Sequence, residues 1–194
     1  MDLIEVRRAM RDKGISCLPT TDLKQVLREL IAKRKAIEIG SGNNLLCGYL
    51  QILGTDSFAG VKDATLSMWM TSIGFSLPTP NIHLVKEMEA LEAVEHYKPK
   101  VVIGAWIPDK HTCFGKERGY GVDEVAILES PYVETYIHIG NTLVHQNKTI
   151  NQIPHKVFDA PTISIANRGK DIIQVWTKVD IDSPEGSVDD DNYT

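Results

Sequence analysis

In "EIGSGNNLL", residues 38–46, a short apolar run ends in Gly40-Ser41-Gly42 and then resumes as something helical. A strand that feeds a helix through such a turn offers backbone N–H groups and lets a ligand approach the chain closely, which suits a nucleotide-like molecule. Two common phosphate-binding patterns fail here. The dinucleotide fingerprint G-x-G-x-x-G needs a third glycine where Leu45 stands, and no G-K-[ST] follows the turn. Asn44 continues the turn, and asparagine is the next most tolerant residue of left-handed backbone after glycine. Its side chain is expected near the ligand.

A second group of chemistry-bearing residues follows "KVVIGAWIP", residues 100–108. Trp106 and Pro108 lie at the carboxyl end of this apolar run, where open α/β sheets bind ligands. Asp109 and His111 are the nearby candidate bases, and no residue earns a firmer catalytic role. Lys110, Lys116 and Arg118 offer a local phosphate or acidic-substrate contact, or simply a solvated loop. His111, Cys113, His138 and His145 would have to converge to hold a metal, and none is expected.

These residues need a scaffold, and the chain alternates strand-like and helix-like pieces. Two amphipathic helices occupy residues 1–35, the first with Leu3, Val6 and Met10 on one face and the second capped by Thr21. Strands are expected at 36–40, 52–56, 81–87 and 100–108, with helices over 43–50, 62–73 and 89–98. In these helices Met68, Trp69 and Met70 are read as core, and Leu91, Val94 and Tyr97 as a buried stripe. A helix over 122–130 and a fifth strand over 132–141 come next. The turn "NRGK", residues 167–170, is expected to join 162–166 to 171–179 as an antiparallel hairpin.

The 194 residues, 42% hydrophobic and 24% charged, are those of an ordinary globular chain. One domain over 1–182 is expected, followed by an acidic disordered tail over 183–194. The net charge of −5 disfavours nucleic acid as a partner, though a local basic loop remains compatible with it. Three widely spaced cysteines suggest neither a zinc site nor a disulfide framework. With neither a secretory signal nor an apolar run of membrane length, a cytoplasmic monomer or homodimer without membrane contact is expected.

The acid two residues before the first glycine adds a resemblance. "EIGSGN", residues 38–43, resembles the E/D-x-G-x-G motif of class I S-adenosylmethionine-dependent methyltransferases. "MEALEAV", residues 88–94, resembles the third motif of that family, and "VVIGAWIP" its fourth strand and the motif after it. The resemblance spans roughly residues 36–141, with two final strands beyond. It implies an α/β fold, a Rossmann-like three-layer sandwich whose mostly parallel seven-stranded sheet ends in a C-terminal antiparallel hairpin. It also implies a cofactor, S-adenosyl-L-methionine. Glu38, Gly40, Ser41, Gly42 and Asn43 would hold its amino-acid end, Asp56 its ribose hydroxyls, Glu89 and Ala90 its adenine, and Ala105 would lie beside the methyl group. A carboxylate such as Asp56 can accept from two neighbouring hydroxyls at once, although a turn or N-cap role suits it equally. Where amino-methylating nucleic-acid enzymes carry [DNS]-P-P-[YFW], this chain has Ala105-Trp106-Ile107-Pro108, so base amination of that kind is not supported. The implied activity is methyl transfer to an unidentified acceptor. The alternative is a non-catalytic binding module of the same fold that acts through a partner protein.

Overall fold

The computed structural model describes residues 2–72, 76, 77, 79–111 and 120–178. The anticipated tail over 183–194, Cys113, Lys116 and Arg118 lie outside the described residues. Helix α1 (Leu3–Asp12) is capped by Asp2, and α2 (Thr21–Ile31) by Thr20 rather than Thr21. Between them lies a short strand, β1 (Cys17–Pro19), that the sequence does not announce.

From there the chain runs β2 (Ala36–Ile39), α3 (Leu45–Leu50), β3 (Leu53–Asp56), α4 (Ala59–Lys62), α5 (Ala64–Ser72), β4 (Val85–Glu87), α6 (Ala90–Tyr97) and β5 (Val101–Ala105). Helix α7 (Glu124–Glu129), β6 (Thr135–Asn141), a 3-10 turn (Thr149–Gln152), β7 (Lys156–Asp159), β8 (Thr162–Ser164) and β9 (Asp171–Thr177) complete it. The sheet order is β4-β3-β2-β5-β6-β9-β7. The first five of these strands are parallel, and β9 runs antiparallel to both β6 and β7. The order reverses between β2 and β5, which opens a crevice at their carboxyl ends.

Alternating side chains of the central strands feed two cores, as strands buried on both faces must. On one face Val102, Tyr136 and Trp176 pack with Ala93 and Val94 of α6 and Ile127 and Leu128 of α7. On the other, Val101, Ile103, Ile137, Ile139 and Ile173 pack with Leu23, Leu27 and Ile31 of α2 and Leu46 and Leu50 of α3. This is a Rossmann-like three-layer sandwich. Among the described residues no helix is long and apolar enough to cross a membrane.

Four expectations need correction. The partner of β9 is Lys156–Asp159, not 162–166, and β8 pairs instead with β1. Pro161 supplies the reason: it has no N–H for a ladder, so the chain leaves the sheet after Asp159, and Thr162 Oγ1 donates to Leu18 O at 2.6 Å. The helix expected over 62–73 breaks at Asp63, whose extended backbone (φ −98°, ψ 96°) separates α4 from α5 and whose carboxylate accepts from Leu66 N; residue 73 lies outside the described residues. Met68 is not core but 74% exposed, Trp69 and Met70 are half-buried, and Leu91 is exposed, because α5 joins neither core and α6 buries only Ala93 and Val94 fully. The third strand occupies only the last residues of 81–87, since residues 82–84 form a turn closed by Leu84 N and Val85 N on Asn81 O.

Candidate functional site

The glycine turn is built on alternating left-handed backbone. Gly40 (φ +60°), Gly42 (φ +51°) and Asn44 (φ +70°) all have positive φ, so asparagine adopts the left-handed conformation expected of it. Its side chain does not turn toward a ligand. Asn44 Oδ1 accepts from Cys47 Sγ at 2.8 Å, and the amide lies over Gly48, where a Cβ would come within 2.6 Å of Nδ2.

Glu38 lies beneath the turn, 2% exposed, and its Oε2 accepts from Cys47 N at 2.7 Å. Burial pushes its carboxyl up from 4.5 to about 8 and the charge of Asp56 adds to this, while the Cys47 hydrogen bonds pull the other way. At neutral pH the folded chain therefore holds a proton that the unfolded chain releases above 4.5. Stability from this group is full below about pH 4.5 and is lost as pH rises toward 8, at up to about 1.4 kcal/mol per pH unit. Glu38→Gln should flatten the decline in urea-unfolding free energy between about pH 5 and 8; an unchanged slope in the variant would contradict this assignment.

Asp56 ends β3 and ties the turn to the next loop. Its Oδ2 accepts from Gly42 N at 3.0 Å and its Oδ1 from Phe58 N at 2.8 Å. Each oxygen retains lone-pair capacity. Glu89 stands exposed at the N-cap of α6, and its carboxylate makes no hydrogen bond there.

A cavity of about 490 Å³ opens at the carboxyl ends of β2, β3, β4 and β5. Gly40, Asp56, Glu89, Ala90 and Ala105 line it together with Trp106, Pro108 and Asp109. Glu38, Ser41, Gly42 and Asn43 lie outside its wall and shape the turn behind it: Ser41 N and Oγ both donate to Thr55 O, and Asn43 Oδ1 accepts from Leu45 N. Tyr120 closes one side, its hydroxyl pushed up to about 12 by burial and by the charge of Asp56. The far wall comes from Ile15 and Ser16 before β1 and Ile165 and Ala166 after β8, joined by the β1–β8 pairing and by Arg7 Nε donating to Ser164 O at 3.0 Å.

Trp106 holds a conformation few aromatic residues adopt, φ +57°, with its backbone N–H donating to Ile139 O at 2.8 Å. Such a backbone at the end of a central strand costs on the order of 1–3 kcal/mol and persists only where its surroundings enforce it. Of the two candidate bases, Asp109 is buried and lines the cavity. Its Oδ2 accepts from Thr149 N at 2.5 Å and its Oδ1 from His111 N at 2.6 Å. The His111 ring lies off the cavity, half exposed, with Nε2 2.8 Å from Asp123 Oδ2.

Sequence reasoning named His138 and His145 but missed the buried ion pair of the polar cluster to which they belong, behind Trp106. Lys148 and Glu124 form an ion pair with side chains 3% and 1% exposed, and Tyr136 donates to Glu124 Oε1 at 2.6 Å. His138 and His145 pack beside them, edge to face, with ring centroids 4.8 Å apart. The one signal for this cluster is a polar residue inside an apolar stretch, as His138 is in "YIHIG".

No protein-family model matches the sequence, and no curated protein sequence matches it. Among solved structures the chain is similar to the 23S rRNA methyltransferase ErmE, at 15% identity over 83% of this chain and 69% of that one, with a TM-score of 0.43. The methyltransferase domain of METTL16 aligns at 14% identity over 91% and 80% of the two chains, TM-score 0.45. A putative class I S-adenosylmethionine-dependent methyltransferase from Listeria monocytogenes aligns at 13% over 96% and 72%, TM-score 0.45. On its own strand order, five parallel strands reversing between β2 and β5 and closed by the antiparallel pair β9 and β7, the chain has a Rossmann-like fold.

Proposed function

We propose that the protein binds S-adenosyl-L-methionine in this cavity and transfers its methyl group to an acceptor held against Trp106 and Pro108. One observation carries the reading: a single cavity gathers Gly40, Asp56, Glu89, Ala90 and Ala105, far apart in sequence, beside a strained aromatic at the sheet's switch point. The residues fit an adenosyl sulfonium. Asp56 has acceptor capacity left for ribose hydroxyls while it fixes the Gly42 and Phe58 N–H groups. Glu89, whose carboxylate makes no cap hydrogen bond among the described residues, offers an acceptor to an exocyclic amine, and Ala105 leaves room beside the reacting carbon. When bound, the sulfonium supplies an activated methyl group, so the chain's own tasks are alignment and exclusion of water. Trp106, Pro108 and Tyr120 supply apolar surface for both. Glu38, Ser41 and Asn43 act through the turn they stabilise.

A second reading, binding without transfer, is favoured by the state of the candidate bases: Asp109 is committed to two backbone N–H groups, and the His111 ring is turned to Asp123. Calorimetric titration with S-adenosylhomocysteine should give saturable one-to-one binding, and absence of heat at millimolar ligand would sink both readings. Retained binding without methyl transfer to any acceptor in a lysate would favour the second.

A further inference from the structure

The wall behind Trp106 carries hydrogen-bond donors that the protein itself does not satisfy. The indole stands edge-on to the His145 ring, centroids 5.1 Å apart and planes at 85°, and both residues line the cavity. His145 Nδ1 accepts from Asn141 N at 2.9 Å, so in the neutral ring the proton sits on Nε2. Burial and the Lys148 charge push this imidazole down to about 3, so the ring is neutral at physiological pH. Among the described residues its Nε2–H has no acceptor, and neither has the buried Nε1–H of Trp106.

The charges nearby define what can bind there. Lys148 is the cation of the cluster and is already paired with Glu124, while Asp109 adds a second carboxylate on the same wall. With both imidazoles neutral the cluster is net negative, which opposes an anion. A cation would meet the positive end of the His145 Nε2–H and leave it without an acceptor.

We propose that this wall is the acceptor subsite and that it takes a neutral planar ring bearing a carbonyl or lactam oxygen, which accepts from His145 Nε2–H while the ring packs against the Trp106 indole. The proposal rests on the reading of the cavity as a methyl-transfer site. The ring would lie against Trp106 and Pro108, and its oxygen would fix the edge it presents to the cofactor.

The test uses protein saturated with S-adenosylhomocysteine and three probes of similar shape: benzamide, benzoate and benzylammonium. Binding is followed in amide-type nitrogen–proton NMR spectra, with the Trp106 indole signal identified by its loss in Trp106→Phe. Benzamide should bind saturably in the millimolar range and shift that signal, with the charged probes weaker by about tenfold or more. His145→Phe should weaken benzamide by about tenfold, while His111→Gln, whose ring lies off the cavity, should not. Equal or tighter binding of either charged probe, an unmoved Trp106 signal, or indifference to His145→Phe would overturn the proposal. Failure to saturate with S-adenosylhomocysteine would overturn the cofactor reading itself; saturation without a benzamide response overturns the acceptor proposal alone.

Discussion

Lys148→Met is expected to destabilise the fold by about 3–5 kcal/mol, the typical cost of removing one partner from a buried ion pair. The Lys148 ammonium and the Glu124 carboxylate are both almost wholly buried, and methionine fills the space of the stem without supplying charge. Glu124 would keep the Tyr136 hydroxyl as a donor and lose its counter-ion. Burial already raises the Glu124 carboxyl, and Lys148 is what most opposes that rise. In the variant the group should therefore take up a proton on folding, which makes the loss larger near pH 8 than near pH 5. Urea unfolding at the two pH values measures this, and Glu124→Gln added to Lys148→Met should recover part of the loss. A single-variant cost below about 1 kcal/mol would mean that the pair is solvated.

Gly40→Val is expected to reduce S-adenosylhomocysteine affinity by about a hundredfold or more while leaving the protein folded. Gly40 sits at φ +60°, where a β-branched residue is strained, and a Cβ there would stand 2.7 Å from Ile107 Cγ2. The side chain must push Ile107 or enter the cavity that Gly40 lines. Stability should fall by about 1–3 kcal/mol, the usual cost of such strain. Circular dichroism and calorimetry on the same sample separate the two effects; unchanged affinity in a folded variant would place the ligand elsewhere.

Both effects bear on how much the sequence discloses. Strand β5 reads directly as a run of apolar residues because it is buried on both faces, and the glycine turn reads directly because only certain residues tolerate positive φ. The Asn44 backbone follows from residue type alone; the direction of its side chain does not, since it depends on Cys47 and Gly48 across a helical turn. Strand pairing at the C-terminal end is less legible. "NRGK" has hairpin chemistry, yet β8 leaves for β1, a segment more than a hundred residues earlier, and no local pattern encodes that choice. Lys148 and Glu124 escape for a related reason. Each looks like an ordinary surface polar residue, and only the fold brings Glu124, on the crossover between β5 and β6, against Lys148, in the loop after β6.

A crystal structure with S-adenosylhomocysteine bound tests the central claim most directly. The account predicts the ribose hydroxyls within hydrogen-bond distance of the Asp56 carboxylate, the adenine beside Glu89 and Ala90, and the sulfur near Ala105. A ligand bound away from Asp56, or a cavity that stays empty at saturating ligand, would contradict it.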